Sequence, residues 1–214
     1  MREGGETDRS FTELRRNLRS RALFARSMLA RPREVGAVWP TSRRAVAGLL
    51  EMADLRSVRI AVEFGAGTGV YTRGILDRMG PEGRLLAFEQ DGDLARALAE
   101  GLPDPRLRVV HDSAERVEEY LRDHAGGERA GVIVSSVPFT TLPAGVREGI
   151  LDAAVRALSP EGTMLVLQYS NLVRPALERR FRDVRRRLSP LNLPPAFLFA
   201  CRRRAGTTTG SEHR

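Results

Sequence analysis

The chain contains no lysine; all 35 of its Lys/Arg positions are arginine. A GC-rich coding sequence produces such a skew without help from function, so the choice of arginine says little. The balance it leaves, a net charge of +8, favours anionic partners such as nucleic acid or an anionic membrane face. Cysteine is almost absent too. A single Cys201 excludes an intramolecular disulfide, which suits a reducing, cytoplasmic compartment. Its place in the run Phe197-Leu198-Phe199-Ala200-Cys201 reads as a buried thiol. No pair of His or Cys has metal-ligand spacing, so no metal is expected. No apolar run approaches the roughly 20 residues of a membrane span. The first ten residues are charged and glycine-bearing with no apolar stretch behind them, so no secretory signal is expected. Any contact with a membrane is therefore expected at its surface.

What the chain does have is the stretch Ile60-Ala61-Val62-Glu63-Phe64-Gly65-Ala66-Gly67-Thr68-Gly69. An apolar run carrying one acid breaks into three glycines at every second position. That pattern passes a buried strand into a helix and leaves the backbone bare for a ligand's close approach. Tight helix-to-sheet packing is the structural alternative for the glycines alone. A second acid, Glu89, lies twenty residues past Gly69 and ends the apolar run Leu85-Leu86-Ala87-Phe88. Glycines for approach and a carboxylate for ribose hydroxyls make a nucleoside pocket at the carboxyl ends of adjacent strands. Glu89 also suits the start of the following helix. The spacing is neither G-x-G-x-x-G nor a P-loop, since no G-K-[ST] follows.

At 214 residues and 42% hydrophobic content, the chain fits one domain with a short appendage. Residues 1–8 read as disordered. Residues 9–31 read as a basic amphipathic helix, with Phe11, Leu14, Leu18, Ala22, Ala25 and Leu29 at helical spacing and arginines on the other faces. Pro32 ends it. A second helix is expected over 43–53, capped by Thr41 or Ser42. The segment 9–54 thus forms an N-terminal helical unit ahead of a domain at 55–202, with a disordered tail over 203–214. Within that domain, apolar runs at 58–64, 83–89, 106–111, 130–137, 162–169 and 195–201 alternate with helical segments at 70–79, 92–100, 114–124 and 144–158. Such alternation predicts an α/β fold: a mostly parallel sheet with helices on both faces. Residues 181–188 and 195–201 are joined only by the turn-rich Ser189-Pro190-Leu191-Asn192-Leu193-Pro194, so the sheet should close with an antiparallel hairpin.

The acid-plus-GxGxG form resembles motif I of the class I S-adenosylmethionine-dependent methyltransferases, and the resemblance spans residues 58 to about 200. It implies a Rossmann-like seven-stranded sheet and S-adenosylmethionine as cofactor, with S-adenosylhomocysteine as product. Glu63, Gly65, Ala66, Gly67 and Gly69 would then meet the methionine and ribose parts of the ligand. Glu89 would accept from the ribose hydroxyls, and Gln90 follows it. The resemblance places Asp112 on the adenine amino group; Asp112 and Ser113 also suit the cap of the helix from Ala114. His111 beside them reads as packing. The fourth strand ends at Ser135-Ser136-Val137-Pro138-Phe139, where class I amino-methylating enzymes keep a polar-x-Pro-aromatic loop beside the methyl group. Ser136 is the catalytic candidate there, with Pro138 and Phe139 toward the acceptor. A plain strand exit through proline explains the same letters.

Three stretches together resemble the bacterial phospholipid N-methyltransferases: 33–42 (Arg33 to Ser42, with Trp39), the Ser136–Phe139 loop, and Thr163-Met164-Leu165-Val166-Leu167-Gln168-Tyr169-Ser170. This implies stepwise methylation of phosphatidylethanolamine at a membrane surface. Tyr169 either orients the amine or is a structural tyrosine; Trp39 either walls the acceptor site or anchors its helix. The 9–31 helix reads as a lid, as an interfacial element drawn to anionic headgroups, or as a binder of RNA phosphates. Its Leu and Phe content favours the first two. The related rRNA adenine dimethylases carry Asn where this chain has Ser136, and a further helical domain, so nucleic acid is the less favoured partner. A methyltransferase of a soluble small molecule and a non-catalytic basic binding module are the remaining alternatives. Nothing in the sequence specifies an oligomeric state.

Overall fold

The computed structural model describes residues 42–190, 192 and 194–203. The expected 9–31 helix, Trp39 and the terminal stretches 1–8 and 204–214 lie outside the described residues. In chain order the elements are α1 (Arg43–Leu50), β1 (Ile60–Phe64), α2 (Val70–Leu76), β2 (Arg84–Phe88), α3 (Gly92–Gly101), β3 (Leu107–Val110), α4 (Val117–Ala125), β4 (Ala130–Ser135), α5 (Ala144–Ala157), β5 (Leu158–Gln168), α6 (Arg174–Glu178), β6 (Phe181–Ser189) and β7 (Ala196–Arg203).

The seven strands form one sheet in the order β3-β2-β1-β4-β5-β7-β6. The first five run parallel, and β7 is antiparallel to both β5 and β6. The antiparallel closing hairpin and the sheet wound with helices are as the sequence predicts. All five residues of β1 are buried, as a central parallel strand covered on both faces requires. Ile60, Val62 and Phe64 pack into one layer with Val117 and Leu121 of α4, Leu151 of α5 and Leu177 of α6. Ala61 faces the other layer, with Leu49 of α1 and Ile75 of α2. The chain leaves β1 outward to β2 and β3, then returns to β4 on the far side of β1. That reversal opens a crevice beyond the carboxyl ends of β1 and β4.

Several boundaries differ from the sequence expectation, each for a local reason. α2 stops at Leu76 rather than continuing to residue 79, because Arg78 and Met79 both donate to the Ile75 carbonyl and tighten the last turn. Met79 is still buried there, so the apolar period outlasts the helix. β4 stops at Ser135 because the Ser136 amide turns back to Phe64 and the chain bends through Pro138. β5 begins at Leu158, ahead of residue 162, with a register shift opposite Ala130 and Val132. α6 is new; five residues are too few to show a period.

α1, grouped by sequence with the N-terminal segment, packs into the core through Ala45, Val46, Leu49 and Leu50. Ser42 caps it, its Oγ accepting from Ala45 N–H at 3.1 Å. Its entry is tied to the β6–β7 loop: Ser42 N–H donates to Asn192 Oδ1 at 2.9 Å, and Asn192 Nδ2 donates to Pro194 O at 2.9 Å. Asn192 is 2% exposed, so its loss would strand a backbone donor away from water. Asn192→Ala is expected to cost about 1–3 kcal/mol, read as a melting temperature several degrees lower at unchanged secondary-structure content.

Candidate active site at the carboxyl ends of the strands

Each parallel strand delivers a polar group to one rim of the sheet. The turn after β1 is built from left-handed backbone: φ is 76° at Gly65, 53° at Gly67 and 79° at Gly69. This conformation strains residues with a Cβ, which accounts for the glycine at every second position. It swings the Gly65 and Ala66 amides onto the Phe88 carbonyl at the end of β2, at 2.9 and 3.0 Å. A side chain at Gly65 would press on Val137 and Ser136, whereas the space in front of Gly67 is open to 4 Å. The bare face of the turn therefore lies at Gly67.

Glu89 leaves the end of β2 and reaches back across the turn. Its Oε2 accepts from Gly67 N–H at 2.7 Å, and its Oε1 accepts from Asp91 N–H at 3.0 Å. The half-buried carboxylate is held at the crevice with lone pairs to spare for hydroxyl donors. The helix-start role belongs to Asp91, whose Oδ1 accepts from the Asp93 and Leu94 amides and caps α3. Gln90 is exposed, and its carbonyl meets His111 Nε2 at 3.1 Å. His111 also lies against Gly92, so it braces the β2–α3 loop.

Glu63 lies beneath the glycine turn at 1% exposure, and among the described residues neither carboxylate oxygen has a hydrogen-bond partner. Burial raises its pKa to about 7, against a smaller downward pull from Thr72 and with a further upward push from Glu89. Thr72 Oγ1 is buried without a closed hydrogen bond as well. A carboxylate left in this way is costly unless a cation or donor completes it.

Asp112 follows β3 in the opposite condition. Its Oδ1 accepts from Ser113 N–H at 2.7 Å; its Oδ2 accepts from Tyr120 Oη at 2.9 Å and from Arg116 at 2.5 Å. The Ser113 amide, then Tyr120 and Arg116, hold it below the usual carboxylate range. Of the two readings for this pair, capping goes to Ser113, whose Oγ accepts from Glu115 N–H at 3.3 Å. Asp112 is set in place by Tyr120, which packs edge-on to Phe88 at 5.3 Å. Sequence reading missed Tyr120 and Arg116 because their spacing shows only helix periodicity.

The end of β4 closes the other wall. Ser136 Oγ donates to Gly65 O at 2.7 Å, which commits its proton and leaves the hydroxyl as an acceptor. Ser135 is fully buried, its Oγ accepting from Val137 N–H at 3.3 Å. From β5, Gln168 Nε2 donates to Val137 O and Leu167 O, each at 2.7 Å. Gln168 is 3% exposed and fixes the Ser136–Pro138 bend. It was legible only as a polar residue ending an apolar run. Pro138 and Tyr169 are half-buried at the same rim. Phe139 is not: it is fully buried in the core beside Ile150 and Leu151, so its ring faces packing partners rather than an acceptor. The bend at Pro138 turns the aromatic inward, which the sequence pattern does not reveal.

The glycine turn, Glu63, Glu89, Asp112, Ser135, Ser136 and Gln168 thus converge on the crevice between β1 and β4 and its flank along β2 and β3. Two surface cavities of about 440 and 740 Å³ lie at the opposite end of the sheet, around Arg59, Glu82 and Arg84 and around Glu51, Arg129 and Arg202, and share no residue with it. The rim can cradle a nucleoside bearing a cationic head, with carboxylates for hydroxyls, an amino group and an ammonium.

No family profile matches the chain. An ornithine lipid N-methyltransferase of Singulisphaera acidiphila is 33% identical over 148 residues, which cover 68% of this chain and 77% of that protein. A ribosomal RNA small subunit methyltransferase H of Flavobacterium johnsoniae is 38% identical over 71 residues, but these span only 33% of this chain and 22% of that protein. Among solved structures, the N-methyltransferase NodS of Bradyrhizobium japonicum in complex with S-adenosyl-L-homocysteine superposes with a TM-score of 0.61 at 15% identity, covering 75% of this chain and 86% of that one. A S-adenosylmethionine-dependent O-methyltransferase of Thermotoga maritima gives 0.56 at 14% identity over 78% and 66%. Shared architecture from the solved structures, and shared sequence across most of the lipid-modifying relative, lead to one assignment: the chain belongs to the class I S-adenosylmethionine-dependent methyltransferases, in the family of that ornithine lipid N-methyltransferase.

Proposed function

We propose that this methyltransferase acts on the amine of a membrane lipid, working as a peripheral enzyme at an anionic bilayer surface. The likeness to a lipid N-methyltransferase over 77% of that relative's length supports the substrate class. Two aminolipids fit: phosphatidylethanolamine, expected from sequence, and ornithine lipid, which the relative's name favours. Among the described residues no helix is long and apolar enough to cross a membrane.

S-adenosylmethionine is the methyl donor; when bound it supplies a sulfonium carrying the methyl group that moves. The residues fit it, because Glu63 is a buried carboxylate with no hydrogen bond and Gly67 leaves open space above it. In this reading Glu63 answers the ligand's ammonium and Glu89 its ribose hydroxyls. Asp112 takes the adenine amino group, and Gly65, Ala66, Gly67 and Gly69 keep the backbone close. Gln90, Ser113 and Ser135 support that wall. Ser136, Pro138 and Tyr169 line the acceptor side, where the Ser136 hydroxyl is free to accept from an amine N–H. The acceptor would react as the neutral amine, its ammonium proton having passed to water; its lone pair would then take the methyl carbon, with S-adenosylhomocysteine leaving as the neutral thioether. Alignment and exclusion of water can lower such a barrier by roughly 7–11 kcal/mol.

Three outcomes test this reading. Glu89→Ala should weaken S-adenosylhomocysteine about 10- to 100-fold by calorimetry, and Asp112→Ala about tenfold, as the loss of charge-assisted bonds implies; unchanged affinities for both would remove the site assignment. The Glu63 test reads pH. Because its folded pKa is raised from 4.5 to about 7, the stability it supports is full below pH 4.5 and declines as pH rises to 7. Glu63→Gln should therefore raise the melting temperature of the ligand-free protein at pH 8, yet bind S-adenosylhomocysteine more weakly there. In the native protein affinity should rise from pH 5.5 to 7 and then level off, and Glu63→Gln should flatten that profile. Finally, labelled S-adenosylmethionine should transfer its methyl group to vesicles containing phosphatidylethanolamine or ornithine lipid. Transfer only to a soluble amine would overturn the lipid assignment while leaving the enzyme class intact.

A further inference from the structure

The outer edge of the sheet ends in a run of exposed residues that the cofactor site does not use. Arg185, Arg186, Arg187 and Leu188 of β6 are all exposed. Asp183 pairs with Arg185 at 3.0 Å, but among the described residues no carboxylate pairs with Arg186 or Arg187. Charges on an edge strand also block unwanted strand pairing, and that alone would explain the arginines. It does not explain the leucine that follows. Leu188 is 55% exposed, and Leu172, four residues past the end of β5, is 79% exposed.

The sheet register places these residues at the mouth of the site. β6 runs parallel to β5, because both are antiparallel to β7. Gln168 of β5, Phe197 of β7 and Leu188 of β6 fall in one row across the three strands. Two strand spacings put Leu188 about 10 Å from Gln168, whose amide grips the Val137 carbonyl in the acceptor wall. Residues paired across an antiparallel ladder share a face, so Leu188, the half-buried Phe197 and Arg186 lie on one side of the sheet, while Arg187, opposite Leu198, projects from the other side of the same exposed edge strand. The Arg186 guanidinium sits over the Phe197 ring at 5.5 Å. Apolar side chains beside cations, at one rim and facing outward, suit the boundary between headgroups and acyl chains.

We infer that the β6 edge, through Arg186, Arg187 and Leu188, together with Leu172 after β5, docks the enzyme on an anionic phospholipid bilayer and turns the acceptor side of the site toward it. The arginines meet anionic headgroups, and the two leucines enter the interface. This rests on the aminolipid reading above and adds a docking surface separate from residues 9–31.

Sedimentation of the full chain with phosphatidylcholine vesicles, with or without about one-third phosphatidylglycerol, tests it. Wild type should bind the anionic vesicles, less so in high salt, and the neutral ones weakly. Arg186→Glu/Arg187→Glu should lose about tenfold or more of that binding, given the worth of each cation near an anionic surface. Leu172→Ser/Leu188→Ser should lose binding that salt does not restore. Arg84→Glu, at the opposite rim, should lose little. S-adenosylhomocysteine affinity should be unchanged in all of them, which separates a docking defect from misfolding or a failed cofactor site. Methylation of detergent-dispersed lipid should also persist in the docking variants; its absence in wild type would sink the aminolipid reading instead. Vesicle binding that survives both double variants, falls equally in Arg84→Glu, or is absent in wild type would overturn the docking surface. So would an RNA oligonucleotide that binds through the same arginines when vesicles do not.

Discussion

The left-handed turn leaving β1 is the constraint on which the rest of the site depends. Two neighbouring strands are stitched to it: β2 through the Phe88 carbonyl and the Glu89 carboxylate, and β4 through Ser136. Those bonds form only if the backbone at Gly65 and Gly67 takes a conformation that residues with a Cβ resist. The turn is also packed from one side only. Val137 and Ser136 crowd Gly65, while Gly67 faces open space. Close packing below and a bare face above are what a ligand-binding turn requires, and both come from the same few residues.

Two carboxylates at this rim sit in contrasting environments. Asp112 is held ionised by an amide, a phenol and a guanidinium, and stands ready as a fixed acceptor. Glu63 is buried with no hydrogen bond and is pushed up to about 7. The first is stabilised by its surroundings; the second is a local instability that a proton, a donor or an added positive charge relieves. In the proposed reading, where Glu63 answers the cofactor's ammonium, such a site would couple cofactor binding to protein stability and to proton release, because charging Glu63 and seating an ammonium beside it favour one another.

Legibility in the sequence followed the range of the interaction. The alternation of apolar runs with helical segments, the glycine turn, the acids at strand ends and the closing hairpin are all local, and each appears where the letters place it. Ser42 and Ser113 were readable as caps because capping acts over three residues or fewer. Gln168, Tyr120 and Asn192 were not, since each acts through a partner that the sequence gives no reason to connect. Gln168 reaches Val137, 31 positions away, and Asn192 reaches Ser42 across 150. Phe139 shows the reverse case: an aromatic letter beside a proline suggested a face toward the acceptor, and packing turned it into the core.

By itself the sequence determined the fold class and the kind of ligand, and it pointed to the strand tips proposed to meet it, because hydrophobic period, turn chemistry and charge are properties of short segments. The tertiary structure alone decided which carboxylate would be ionised, which hydroxyl would keep a free acceptor and which edge of the sheet would carry exposed arginines beside exposed leucines. Burial and hydrogen-bond partnership set those properties, and both are created only when distant segments come together.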